Sequence, residues 1–231
     1  MRKFNALTIQ SLEPFRKALA NQNFGRLMIT RHLPMDLHLK KTEKLKQTRD
    51  AGVLVSLCNV HGEPSLLYTV RSTKLRSHAG HVSFPGGGLD GNETPEEAAL
   101  RETHEEIGVD PEKVHILGLA QTVYSITGVL VTPVIGLIKD DLGGVNFDAQ
   151  KSIEEVDTVF TVPLTRFAND NNFKGTELLK RKAISVRFPV YGANEDATKN
   201  RFTIWGLTAK ITESVLASLF EHLPQNDSDS D

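Results

Sequence analysis

The chain has 231 residues, 39% hydrophobic and 24% charged, enough for one globular domain with a sizeable core and extra segments. Its single cysteine, Cys58, excludes a disulfide framework and a cysteine-rich zinc site, and lies in an apolar run as a packed thiol suited to a reducing compartment. A net charge of -2 divides into +7 over residues 1–50 and -9 over the rest, and an acidic body argues against general nucleic-acid binding; no apolar run is long enough to span a bilayer and no secretory h-region is present.

From Met1 to Arg26, Leu7, Leu12, Phe15, Leu19 and Phe24 stand among Arg2, Lys3, Arg16 and Lys17, with Glu13 the only acid. This predicts an amphipathic helix interrupted near Pro14. Acid-poor, basic segments of this kind serve as mitochondrial transit peptides, and they also serve as ordinary terminal helices packed on a domain; both readings stand. Residues 30–50 read as a basic connector with Lys40, Lys41, Lys44, Lys46 and Arg49. The expected organisation is a basic helix and connector over 1–50, the main domain over 51–223, and an acidic disordered tail over 224–231.

Ala51–Val60 reads as a buried strand, followed by a turn at His61–Pro64 and a second strand at Ser65–Ser72. Further strands are predicted at Val114–Tyr124, Val129–Ile138, Ile153–Val162, Ile184–Tyr191 and Phe202–Trp205. Lys139–Lys151 reads as a polar loop, Leu164–Ala168 as a short helix, and 169–182 as loop or short helix. A last helix is predicted over Leu207–Leu223, with a stripe of Leu207, Ile211, Val215 and Leu219. Trp205 and Phe202 are expected in the core rather than as a stacking platform.

The stretch Phe84–Val109, FPGGGLDGNETPEEAALRETHEEIGV, carries the chemistry. Thr94 as N-cap, Pro95 at the first helical position and Glu97 completing a capping box predict a sharp helix start, and Gly108 a left-handed stop. At about 100° per residue, Glu102, Glu105 and Glu106 share an arc of about 100°. Like charges at this spacing repel, and Glu105 and Glu106 sit where the helix dipole disfavours them. A bound divalent cation reverses that repulsion, which favours a metal site over a merely solvated acidic face.

Gly87, Glu93, Arg101, Glu102, Glu105, Glu106, Gly108 and Val109 fit G-x5-E-x7-R-E-U-x-E-E-x-G-U, where U is bulky and apolar, with Thr103 as the one departure. The pattern resembles the box of the Nudix hydrolases. Upstream, Arg71, Ser72, Leu75, Arg76, His78 and Gly80 are similar to the R-S-x-x-L-R-x-H-x-G signature of the coenzyme A diphosphatase subfamily, as are Glu155–Leu164 and Ile204–Thr208 downstream. The resemblance spans about Ala51 to Leu219. It implies an α/β fold, a Nudix-type α/β/α sandwich with a mixed curved sheet, and hydrolysis of the diphosphate of coenzyme A or acyl-CoA to 3′,5′-ADP and 4′-phosphopantetheine or its acyl form. Alternatives are a dinucleotide diphosphatase for ADP-ribose or NADH, and a non-catalytic nucleotide-binding module.

The resemblance further implies Mg²⁺ or Mn²⁺ held by Glu102, Glu106 and Glu105 with a carbonyl of Gly86 or Gly87, and Arg101 orienting a ligand glutamate, paired with Glu93. Glu155, near Glu154 and Asp157, is the first candidate for general base and Glu105 the second. Arg71, Ser72, Arg76 and His78 are the expected substrate contacts, arginine being suited to bidentate phosphate recognition. His78 and His81 form an H-x-x-H that lacks a third zinc ligand nearby in sequence. The expected partner is a small molecule, with no nucleic acid, no membrane span, and a monomer or homodimer as the assembly. The C-terminal Asp229–Ser230–Asp231 does not resemble a peroxisomal S-K-L address, which leaves the mitochondrial matrix or the cytosol.

Overall fold

The computed structural model describes residues 3–21, 50–75, 77–125, 128–169, 173–181, 184–193 and 202–224. The connector at 30–49, Phe24, Arg76 and the tail beyond 224 lie outside the described residues.

After helix α1 (Glu13–Asn21) the chain enters β1 (Asp50–Val60), around which the main sheet is built. β1 runs antiparallel to β2 (Glu63–Arg71), and its first residues pair with β4 (Gly86–Gly88). On its other edge it runs parallel to β7 (Leu130–Asp141). β3 (Val82–Ser83) and β8 (Val156–Pro163) extend the sheet from β2, while β5 (Val114–Leu119) and β6 (Val123–Tyr124) extend it from β7. Among the described residues, these eight strands form one mixed sheet.

The nearly unbroken apolar run of β1 follows from its central place, because side chains on both faces are covered. Leu54 packs with Ala99 and Val134 on one face, beneath helix α2 (Pro95–Ile107). Val55 and Leu57 point the other way, into the main core, which also takes Leu12 from the turn before α1, Phe15 and Leu19 of α1, and Ile211, Val215 and Leu219 of the last helix. Helix α3 (Leu164–Ala168) follows β8, and α4 (Gly206–His222) closes the second face. The result is the expected α/β/α sandwich with a mixed sheet.

Tyr68 ties the layers together. It is fully buried, its hydroxyl lies 2.9 Å from Thr212 Oγ1, and its ring stacks on Phe84 and Phe160. Burial pushes its phenol far above the ordinary range. Cys58 is likewise buried, and desolvation raises its thiol to about 12, so it packs rather than reacts.

Four expectations are corrected. The N-terminal helix is not interrupted near Pro14: residues 3–8 are irregular, a turn follows, and Pro14 is the second residue of α1, where a missing N–H costs little. Val114–Tyr124 breaks into β5 and β6: the ladder with β7 already shifts register inside β5, between Ile116 and Gly118, stops after Leu119 and resumes at Val123 opposite Val131. Lys139–Lys151 contributes the end of β7 and a 3₁₀ turn at Phe147–Ala149. Finally, 169–182 contains a strand, β9 (Phe173–Arg181), which pairs with β10 (Ile184–Ala193). β10 also pairs with β11 (Phe202–Ile204) in a three-stranded antiparallel sheet. FKGTELLKR has weak strand preference of its own, and its partner strand supplies the ladder.

Candidate active site

Helix α2 starts and ends as its sequence dictates. Glu97 N–H donates to Thr94 Oγ1 at 3.2 Å, Thr94 N–H donates back to the Glu97 carboxylate at 2.8 Å, and Gly108 stops the helix at φ 74°. Thr103, the departure from the apolar pattern, is buried, and its hydroxyl donates to Ala99 C=O at 2.6 Å, which satisfies it within the helix.

Three carboxylates converge at the end of α2. Ligand oxygens of Glu102, Glu106 and Glu155 all lie within 4.8 Å of one another. Glu106 is 5% exposed, Glu102 is intermediate, and Glu155 is exposed at the rim. Burial pushes the Glu106 carboxyl up to about 8; the Gly86 N–H, donating at 3.3 Å, and the charge of Arg71 oppose this, while Glu102 and Glu155 add to it. Glu102 is also raised, first by burial, with Arg101 opposing. Three hard oxygen donors, one of them buried where ionisation is disfavoured until a cation offsets it, fit a divalent cation of the Mg²⁺ or Mn²⁺ type.

Arg101 is locked behind this group. Its Nε and Nη2 donate to the two Glu93 oxygens at 2.7 and 3.0 Å, Nη1 donates to Glu102 at 3.0 Å and Glu105 at 3.3 Å, and Nη2 also reaches Gly88 C=O at 3.0 Å. This fork holds Glu93 down at about 2 and raises the guanidinium further. Glu105 thus faces Arg101 and lies outside the three-carboxylate group, whereas Glu155, on the turn just before β8, belongs to it.

The glycine turn leaves room for these carboxylates. A Cβ at Gly87 would stand 2.4 Å from the Glu102 carboxyl, and one at Gly86, where φ is 145°, would strike the backbone of Gly52 and Val53. Gly87→Ala is therefore expected to displace Glu102 and lower turnover by about 10- to 100-fold with a nearly unchanged melting temperature, as steady-state kinetics and a thermal melt would show. Gly52 is a site residue that sequence reasoning missed: its Cβ would lie 2.1 Å from Pro95 C=O, so it admits the start of α2. The signal was a glycine inside an otherwise bulky strand.

The remaining residues fall in different places. Arg71 ends β2, close enough for its charge to act on Glu106. Ser72, expected as a substrate contact, is instead fully buried, its Oγ accepting Lys74 N–H at 3.3 Å and its N–H donating to Glu155 C=O at 2.8 Å. It shapes the turn. His78 is exposed with φ 55°, and its Nδ1 lies 3.4 Å from that of His81, whose ring meets Trp205 edge-on. Burial, then His78 and Arg71, lower the pKa of His81. Phe202 stacks on Phe160. Arg76 lies outside the described residues.

Residues 48–180 match the NUDIX domain. The chain belongs to the Nudix hydrolase family. Curated relatives include the mitochondrial coenzyme A diphosphatase NUDT8 of Mus musculus, 37% identical over 172 residues (73% of this chain, 77% of that protein). The Homo sapiens protein of the same name is 39% identical over 175 residues (73% and 69%), and the uncharacterized Nudix hydrolase NudL of Enterobacter sp. strain 638 is 38% identical over 177 residues (76% and 85%). As a Nudix hydrolase, the protein is a pyrophosphatase that cleaves a diphosphate linkage in a small-molecule substrate. Among the described residues, no helix is long and apolar enough to cross a membrane.

Proposed function

We propose that this Nudix hydrolase cleaves the diphosphate of coenzyme A or an acyl-CoA, releasing 3′,5′-ADP and 4′-phosphopantetheine or its acyl form. The observation that carries the reading is the similarity to coenzyme A diphosphatases over about three quarters of the chain, a span that includes the arginine-bearing turn beside the carboxylate group. Coenzyme A carries a 3′-phosphate besides its diphosphate, and Arg71 and Arg76 offer planar donors for such groups.

Glu102, Glu106 and Glu155 would hold Mg²⁺ or Mn²⁺, with Glu105 and a carbonyl of Gly86 or Gly87 as further donors. When bound, the cation supplies neutralisation of phosphoryl charge and a more acidic water. The chain's own residues do the rest. Arg101 fixes the Glu102 carboxylate through its fork on Glu93, so that the acid is oriented before substrate arrives. Glu155, whose exposure at the rim supports the role, is the first candidate to take the proton of the attacking water, and Glu105, engaged by Arg101, is the second. Arg71, whose charge reaches Glu106, and His78 would bind the phosphates.

The test offers coenzyme A, dephospho-CoA, ADP-ribose and NADH to the purified protein with Mg²⁺ or Mn²⁺ and resolves the products by chromatography. Coenzyme A is expected to be preferred, with dephospho-CoA poorer by about tenfold for the lost phosphate contact. Preference for ADP-ribose over coenzyme A would overturn the substrate assignment. The compartment proposed is the mitochondrial matrix, supported by the name of the NUDT8 relatives, with the cytosol as the alternative.

A further inference from the structure

Glu102 and Glu106 are held by a helix, whereas Glu155 reaches the same group from the loop before β8. Three carboxylates so close repel one another, and the exposed one, on a loop, is the one free to swing into water. Something must hold that loop. Its backbone is tied at both ends of the site: Ser152 N–H donates to Glu106 C=O at 2.8 Å, Glu155 N–H donates to Ser152 C=O at 3.1 Å, and Glu155 C=O accepts Ser72 N–H. Ser152 therefore sits between the two acids as a spacer.

Lys151, next to that spacer, has a side chain only 13% exposed. Its ammonium donates to the Asp148 carboxylate at 2.6 Å and to Asp157 C=O. Those two anchors bracket Glu155 in sequence, one before the loop and one inside β8. Lys151 N–H also donates to Phe147 C=O at 2.8 Å, which fixes the root of the side chain on the 3₁₀ turn. On the other side of the loop, the Asp157 carboxylate accepts Thr73 N–H at 3.0 Å. A mostly buried ammonium has been spent on closing one short loop, although the exposed acidic surface nearby would accept it in water.

We propose that Lys151 is a positioning residue: by clamping the loop from Asp148 to Asp157 it keeps the Glu155 carboxylate in register with Glu102 and Glu106. The inference rests on the reading of those three acids as the reactive centre, and is independent of which diphosphate is cleaved. Its test is a double-mutant cycle in the full-length protein with Lys151→Met, Glu155→Gln and the pair. Mn²⁺ binding by calorimetry, kcat and KM on the best substrate, and the melting temperature are read for each. Lys151→Met is expected to weaken Mn²⁺ binding and lower kcat, each by about tenfold, with KM within about twofold of wild type. Because the lysine acts through Glu155, the pair should be no worse than Glu155→Gln alone to within about twofold, and Lys151→Arg should restore much of the loss. Unchanged Mn²⁺ affinity and kcat in a folded Lys151→Met, or losses that multiply in the pair, would overturn it. Should Lys151→Met not fold, Lys151→Gln takes its place in the cycle, and a Lys151→Gln that also fails to fold overturns the inference in favour of a structural lysine. Wild-type protein that binds Mn²⁺ but leaves coenzyme A intact removes the substrate assignment alone, and the Mn²⁺ measurements still decide Lys151.

Discussion

Glu106→Gln is expected to lower turnover by about 10²- to 10³-fold while making the metal-free protein more stable at neutral pH. The two effects have one cause. Burial raises the folded-state pKa of Glu106 from the ordinary 4.5 to about 8. A carboxyl raised in this way favours the folded state fully only below its unfolded pKa, where it is protonated in both states. As pH rises from about 4.5 towards 8, the unfolded chain ionises freely while the folded one resists, and stability falls. At pH 7 the deficit is about 3 kcal/mol. Glutamine keeps the shape without the charge, so urea unfolding in chelator should show the variant more stable at pH 7 and level with wild type near pH 4. Added Mn²⁺ should stabilise wild type and leave the variant unchanged. Full turnover in the variant would remove Glu106 from the reactive centre. A site that costs the fold stability in order to hold a charge is the usual trade between activity and stability.

Deletion of residues 1–21 is expected to abolish cooperative unfolding. Leu12 and Phe15 are completely buried, and Leu7 and Leu19 nearly so, all within the main core. The Asn59 side chain in β1 accepts Leu7 N–H at 2.7 Å and donates to Leu7 C=O at 2.9 Å, and Phe4 stacks on Phe220 of α4. Loss of one such side chain costs about 2–5 kcal/mol, and a whole domain has only about 5–15. Phe15→Ala alone should lower stability by about 3–5 kcal/mol, and the melt by roughly 10 °C, whereas Lys17→Ala, 69% exposed, should change it by less than about 0.5 kcal/mol. A near-native melt for the truncated chain would contradict this. A protease that removed these residues as an address would strip part of the core, so intact-mass measurement of the cellular protein should find residues 3–21 retained.

The box helix was legible because every signal in it is local. Thr94, Pro95, Glu97 and Gly108 act on neighbours within one turn, and Glu93, just ahead of the N-cap, pairs with Arg101 inside the same helix. The convergence of Glu102 and Glu106 follows from helical periodicity. The strand at 173–181 was not legible, because its hydrogen bonds are made to β10 and nothing in FKGTELLKR requires them.

The sequence by itself determined the chemistry: the family, the acid-bearing helix and the glycines that make room for it, since these depend on spacing along one segment. Only the tertiary structure decided which carboxylates lie together. It brought Glu155 in from a loop more than forty residues beyond the box and left Glu105 facing Arg101. It also turned Ser72 into a buried turn residue and showed the N-terminal helix docked as part of the core. Each of these depends on partners far away in the chain: the stripe of Leu12, Phe15 and Leu19 looks the same in a transit segment and in a docked helix. What separates them is whether a core is there to receive it: the stripe joins the cluster of Ile211, Val215 and Leu219, while Asn59 and Phe220 take Leu7 and Phe4 just ahead of the helix.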